Sequence, residues 1–281
     1  MRYADTGFNL EIDLTRGNIE RVATDAGLTA AHLGGVGTNA RLLWERVPPE
    51  TEPFSPDNLL VFGTGLLCGT PAVGANRTVV STYSPQTLLM ANSMMGGFFA
   101  PELKFAGYDK LVLRGKSPDL VYICINNDKV EIRDASHLRG KGAGETGELI
   151  RKELDDPYVQ VAAIGLAGEN RVYMASIESG RSSASRLGIG AVMGDKGVKA
   201  IAVRGTKDIN VARPADFIAR CNEVLEFIKV REQHPIAGVM PILAGLGSPQ
   251  EMKLFDEKWH TTSFMWGNSR TRRKDFWTAE I

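Results

Sequence analysis

"FNLEIDLTRGNIERVAT", Phe8 to Thr24, returns further along the chain as "VYICINNDKVEIRDAS", Val121 to Ser136. In the first copy Phe8, Leu10, Ile12 and Leu14 alternate with polar residues, "TRGN" turns, and a second run starts at Ile19. In the second copy Val121, Ile123 and Ile125 alternate in the same way, Asn126-Asn127-Asp128 turns, and Val130 and Ile132 resume. Alternation at a period of two marks a half-buried strand, so each stretch predicts a β-hairpin. Two hairpins of one build raise the question of whether their surroundings repeat as well.

They do, in order. "AHLGGVG" follows the first hairpin and "SHLRGKG" the second, with His32 and His137 at matching places. Next come "TNARLLWERV" and "ETGELIRKEL", whose apolar spacing suits one buried helical face. Buried strands are predicted at "LLVFG" (Leu59 to Gly63) and "VQVAAIG" (Val159 to Gly165). An Asn-Arg pair then recurs, in "GANRTVV" (Gly74 to Val80) and "GENRVYM" (Gly168 to Met174), and both stretches read as strands. Small-residue loops follow, "MANSMMGG" (Met90 to Gly97) and "RSSASRLGIGAVMG" (Arg181 to Gly194). Each half closes on a strand with a basic end, "KLVLRGK" and "KAIAVRGTK". The expected fold is α+β: a duplicated domain over residues 1–210, with repeats of about 1–116 and 117–207. Two similar halves pack about a pseudo-two-fold axis, which brings equivalent segments face to face. A ligand with two similar ends, or two copies of one ligand, fits such a site.

The register changes after that. "RPADFIARCNEVLEFIKVREQ" predicts a helix with Pro214 in its first turn and Asp216 close behind. A Pro/Gly-rich stretch, a helical "EMKLFDEKWH" and a basic "NSRTRRKDFW" follow. Residues 211–281 are expected to be the start of an incomplete helical second domain.

Composition narrows the function. With 281 residues and 43% apolar content the chain can bury a sizeable core. Lys+Arg and Asp+Glu both number 33, so no global field draws nucleic acid or an anionic membrane. Cys68, Cys124 and Cys221 show neither metal-site nor redox spacing, and there is no C-x-x-C or H-x-x-x-H. A sparse, odd set of cysteines fits a reducing compartment. No leader and no membrane-length apolar run is visible, so a soluble cytoplasmic protein is expected.

The small-residue loops admit two readings. Backbone N–H groups there can approach a phosphate, with Ser93, Ser182, Ser183 and Ser185 adding hydroxyls; or the glycines serve tight packing of helix on sheet. Gly188, Gly190 and Gly194 are spaced one residue too long for the dinucleotide fingerprint. Arg77, Arg171 and Arg186 offer planar forks suited to phosphate or carboxylate, against the ordinary alternative of surface ion pairs. His32 and His137 are accounted for by the repeat and His234 by a loop. His260 stands beside Trp259, with Glu251 nine residues earlier. A buried Glu and His near aromatics suit proton transfer, while Glu251 also suits a helix start.

"MANSMMGGFFAPELKFAGYDKLVLRGKS", "YICINNDKVEIRDASHL" and "GRSSASRLGIGAVMGDKGVKAIAVRGTK" resemble the amino-terminal domain of the tungsten-dependent aldehyde:ferredoxin oxidoreductases. "MRYADTGFNLEIDLTRGNIE", "GRSSASR", "VMPILAGLGSPQEM" and "SRTRRKDFW" are most similar, within that family, to the catalytic subunit of ATP-independent benzoyl-CoA reductases. The resemblance implies a duplicated α+β base for a tungsten-bis-molybdopterin, with Mg2+ bridging the phosphates. It implies that Arg77 lies between pterin and an iron–sulfur cluster. Asn92 and Ser183 would offer backbone carbonyls to magnesium. Ser93, Met94, Gly96, Ser182, Ala184 and Arg186 would line pterin and phosphates, and Glu251 and His260 would donate protons. The family's 4Fe–4S cysteines are not in this sequence, so the cluster is expected of the full-length enzyme. Implied partners are an iron–sulfur electron-transfer subunit or ferredoxin, an aromatic acyl-CoA or aldehyde substrate, and an oligomer. A non-catalytic binding module is the competing class. Leu187 stands where the family prefers glycine, either crowding the pterin or packing inward.

Overall fold

The computed structural model describes residues 3–229. The chain divides into two compact units, Met1–Pro214 and Ala215–Ile281. In the first half the elements are β1 (Phe8–Asp13), β2 (Asn18–Ala23), α1 (Ala26–His32), α2 (Gly35–Arg46), β3 (Leu60–Thr64), β4 (Thr78–Tyr83), β5 (Met90–Met95), α3 (Phe99–Phe105) and β6 (Lys110–Arg114). The second half runs β7 (Val121–Asn126), β8 (Lys129–Asp134), α4 (Ala143–Glu153), β9 (Gln160–Ala163), a single turn α5 (Leu166–Glu169), β10 (Ile177–Ser179), β11 (Ser182–Ala184), α6 (Ile189–Asp195) and β12 (Val198–Arg204). Helix α7 (Pro214–Lys229) begins on its proline with Asp216 in the first turn, where a carboxylate meets the helix dipole.

The duplication is written in the hydrogen bonding. The first sheet has the strand order β2-β1-β6-β3-β4-β5, and the second, read from its other end, β8-β7-β12-β9-β10-β11. Every neighbour matches in sense. Both hairpins are antiparallel, β1–β6 and β7–β12 are the parallel pairs, and the three pairs beyond each are antiparallel. Gly107 and Gly197 precede β6 and β12, and both hold positive φ, at 100° and 75°.

Helices α3 and α6 each contact strands of both sheets and so lie between them. Their buried Phe99, Leu103, Ile189 and Val192 join Leu10, Phe62, Leu111, Ile123 and Ile201 in one core shared by the halves. On the far faces α2 covers Val61 and Val112 through Leu42 and Leu43, and α4 covers Val161 and Ala202 through Ile150. Strands buried on both faces read as unbroken apolar runs, which is why "LLVFG" and "VQVAAIG" lack alternation.

Four lysines are buried among the described residues, Lys104, Lys110, Lys196 and Lys199. Lys196, at the end of α6, donates to the carbonyls of Asn58 and Gly115 and so ties the second half to the first. Burial pushes its ammonium down to about 8 from an ordinary 10.5. A group depressed in the folded state costs stability while it must be charged. That cost is fully present below pH 8 and is relieved as pH rises towards the unfolded value. Relative to Lys196→Met, the wild type is therefore expected to gain roughly 3 kcal/mol between pH 7.5 and 10.5. Denaturant unfolding of both proteins across that range measures it. A flat difference would mean that Nζ titrates normally.

Candidate functional site

Strands β5 and β11 are the terminal strands of their sheets, and they pack against one another. Among the described residues neither has a second ladder partner, so each carries a row of backbone N–H and C=O groups not used by its sheet. The meeting is close. A Cβ on Gly96 would stand 3.1 Å from Ser182 Oγ, and the Arg186 N–H donates to Ser93 Oγ at 3.3 Å. Ser84 Oγ donates to the Leu187 carbonyl at 2.8 Å, pinning the β4–β5 turn to the loop after β11.

The ladders fix which residues correspond. Val79 pairs with Met94 and Val80 with Ser93; Glu178 pairs with Ser183 and Ser179 with Ser182. Gly63 and Ala163 occupy the same step beside β6 and β12, and they pair with Val79 and Glu178. Ser93 is thus the counterpart of Ser182, and Met94 of Ser183. The sequence candidates Asn92, Ser93, Met94, Gly96, Ser182, Ser183, Ala184 and Arg186 all gather on this pair of edges and the loops leaving them. Of these, Ser93 and Ala184 are buried, Asn92, Gly96 and Ser182 half-buried, and Met94, Ser183 and Arg186 exposed. Asn92 and Ser183 are not counterparts, since Asn92 matches Arg181.

Three sequence expectations are corrected. "MANSMMGG" is not a loop over its first six residues but strand β5, because β4 takes up its hydrogen bonds; Ser182–Ala184 is likewise strand β11. "GENRVYM" is not a strand. Glu169 ends the α5 turn, and Arg171 holds a positive φ of 55° with its guanidinium 3.4 Å from Asp195. Arg77 precedes β4 rather than lying on it, and its counterpart is Ser176, so the recurring Asn-Arg pair is not a repeated position. Continuing the β4–β5 register by one step sets Arg77 beside Gly96. The guanidinium groups of Arg77, Arg181 and Arg186 are exposed and make no ion pair with the described residues. Loose positive charge therefore surrounds the two edges. A cavity of about 420 Å³ adjoins the Arg77 loop, lined by Gly74, Ala75, Asn76, Phe98, Pro101 and Phe105.

The glycines of the second small-residue stretch take the packing reading. A Cβ on Gly190 would stand 2.6 Å from the Ser176 carbonyl oxygen, and one on Gly194 1.9 Å from that of Gly168. Gly188 has φ of 70° as the residue before α6, and Leu187 beside it has φ of 64°. Leu187 is half-buried against the shared core, so it packs inward. Its left-handed backbone is one that glycine adopts without strain.

Among the described residues no three His, Cys, Asp or Glu side chains are grouped to hold a metal. Cys68, Cys124 and Cys221 are buried and free. Burial raises the Cys68 thiol to about 11. No helix among the described residues is long and apolar enough to cross a membrane. Glu251, His260 and His234 lie outside the described residues. Sequence reasoning missed Asn39, Ser81 and Ser84, polar residues sealed behind the edge strands. The only signal available for them was a polar residue inside an otherwise apolar helix or strand.

Known proteins share this build. Residues 9–205 match the aldehyde ferredoxin oxidoreductase N-terminal domain. The chain is 42% identical over 230 residues to the tungsten-containing aldehyde ferredoxin oxidoreductase of Pyrococcus horikoshii, covering 82% of this chain and 37% of that protein. It is 42% identical over 239 residues to the enzyme of the same name from Thermococcus kodakarensis, covering 84% and 39%. Among solved structures it is similar to a chain described as the active site complex BamBC of benzoyl coenzyme A reductase in complex with 1,5 dienoyl-CoA. That likeness has a TM-score of 0.88 and 73% identity, over 100% of this chain and 43% of that one. The chain thus spans well under half the length of these relatives. By this match over most of its length, the chain belongs to the aldehyde ferredoxin oxidoreductase family.

Proposed function

We propose that this chain is the amino-terminal, bis-molybdopterin-binding part of a tungsten oxidoreductase that reduces the aromatic ring of benzoyl-CoA to a cyclic diene with low-potential electrons. The observation that carries the binding half of the reading is the meeting of β5 and β11. Two equivalent edges with unused backbone groups, the counterparts Ser93 and Ser182, and three guanidiniums without an ion pair among the described residues suit a ligand that is doubled and anionic. The residues fit the group on chemical grounds: neutral hydroxyls and N–H donors for pterin edges, arginines for phosphates, and backbone carbonyls of Asn92 and Ser183 for a magnesium ion. When bound, the tungsten–pterin supplies the electron-transfer chemistry. This chain's residues hold and orient it, and Gly96 keeps the approach open. Arg77, beside Gly96, is assigned to the side facing the iron–sulfur cluster, whose cysteines we place in the full-length protein. Glu251 and His260 are assigned as proton donors to the reduced ring. We place the enzyme in the cytoplasm as an oligomer supplied by an iron–sulfur subunit or ferredoxin.

The choice of substrate leans on the 73% identity to a benzoyl-CoA reductase chain, against 41–43% to the aldehyde enzymes. Those four relatives support a second reading, oxidation of aldehydes to acids. The test uses the full-length protein purified anaerobically. A single tungsten and a pair of pterins are expected per subunit, with ring reduction of benzoyl-CoA by a low-potential donor. Aldehyde turnover without ring reduction would select the second reading. Protein free of both tungsten and pterin would leave only a non-catalytic module.

A further inference from the structure

Asn39, on α2, is fully buried, and its carboxamide reaches the first sheet. Nδ2 donates to the Val79 carbonyl at 3.3 Å and to Ser81 Oγ at 2.9 Å. Glycine at position 63 is what admits it, since a Cβ there would stand 2.4 Å from Asn39 Oδ1. A carbonyl can only accept, so Val79 fixes which end of the Asn39 amide faces β4. Ser81 Oγ therefore receives a hydrogen bond from Asn39 and has its own proton to give. It gives it to Asn92 Oδ1 at 2.7 Å, across a register pair of the β4–β5 ladder. The relay has one direction, from Asn39 through Ser81 to Asn92. It leaves Asn39 Oδ1 buried without a hydrogen-bond partner among the described residues.

We infer that Asn39 and Ser81 are positioning residues that commit Asn92 Oδ1 inward, so that the Asn92 amide presents its NH2 as a neutral donor to an oxygen of the ligand held between β5 and β11. Asn92 Nδ2 donates to nothing among the described residues, and Asn92 is half-buried on the edge strand. With Oδ1 occupied, the side chain favours a phosphate or carbonyl oxygen and disfavours a cation. The inference rests on the pterin reading of the site and deepens it.

The test is a double-mutant cycle in the full-length enzyme, read as pterin retained after gel filtration and released for fluorescence. Ser81→Ala and Asn92→Ala are each expected to lower retention about fivefold, the scale of one hydrogen bond. The double variant should fall no lower than Asn92→Ala alone, because both remove the same donor. Ser81→Thr, which keeps the hydroxyl, should retain pterin within about twofold of wild type. Multiplied losses in the double variant would overturn the inference, as they would show two independent structural effects. Wild-type retention in either single variant would also overturn it, and Asn92→Ala decides the matter if Ser81→Ala fails to fold. A wild-type enzyme without pterin would instead bring down the functional reading, and this inference with it.

Discussion

Gly194→Ala is expected to destabilise the protein by more than about 3 kcal/mol, the upper range of overpacking, and to reduce soluble yield sharply. The added methyl would meet the Gly168 carbonyl oxygen at 1.9 Å, its carbon at 2.5 Å and the Glu169 nitrogen at 3.2 Å. All three are backbone atoms, so no rotamer change relieves the clash; α6 or the α5 turn has to move. Both are fixed, α6 by Ile189, Val192 and Met193 in the shared core and α5 by the bond from Gly140 N to Glu169. Gly144→Ala supplies the control. It lies within α4 with nothing near its Cβ position, so the exchange should be neutral or stabilising by about 0.5–1 kcal/mol. Urea unfolding of the two variants and wild type measures both. A Gly194→Ala protein within about 1 kcal/mol of wild type would refute the contact between the helix and the turn.

Glu169→Ala is expected to cost about 3–5 kcal/mol, since it strands the Lys199 ammonium in the interior. Lys199 is fully buried, pairs with Glu169, and among the described residues otherwise donates only to the Lys141 carbonyl. Glu169 also accepts from Gly140 N at 3.1 and 3.0 Å, so its loss frees the loop that leads into α4. The double variant Glu169→Leu/Lys199→Met removes both charges and should recover most of the loss, because replacing a buried pair is far cheaper than breaking one. If the double variant unfolds as readily as the single, the loop contact rather than the stranded charge is the cause. Thermal and denaturant unfolding at neutral pH separate the two.

The repeat was legible because it rests on periodicity. Phe8 to Leu14 and Val121 to Ile125 carry their strand signal in alternation, and "LLVFG" carries it as a short apolar run. The small-residue stretches kept two readings because small residues report close approach without saying what approaches. At Gly190 and Gly194 it is the backbone of the same domain; at Gly96 it is Ser182 on the opposing edge. "GENRVYM" misled because its sequence resembles "GANRTVV" while its place is set by tertiary contact at Gly168, which no local pattern displays. Asn92, Ser93, Met94, Gly96, Ser182, Ser183, Ala184 and Arg186 gather on β5, β11 and the loops leaving them because a duplication puts equivalent segments face to face whatever their local conformation. Asn39 and Ser81 were invisible, since a buried amide matters only through partners that lie far away in sequence.

The open outer edges of β5 and β11 carry a liability. Unsatisfied backbone groups in a row are a template for any extended peptide, including another molecule of the same chain. Leu88, Leu89 and Met90, exposed at the start of β5, would add apolar adhesion to such pairing. A ligand held along these strands, as proposed, would also shield them from polymerising. On the proposed function, loading of the ligand would protect solubility, and chains made without it would be the ones prone to aggregate.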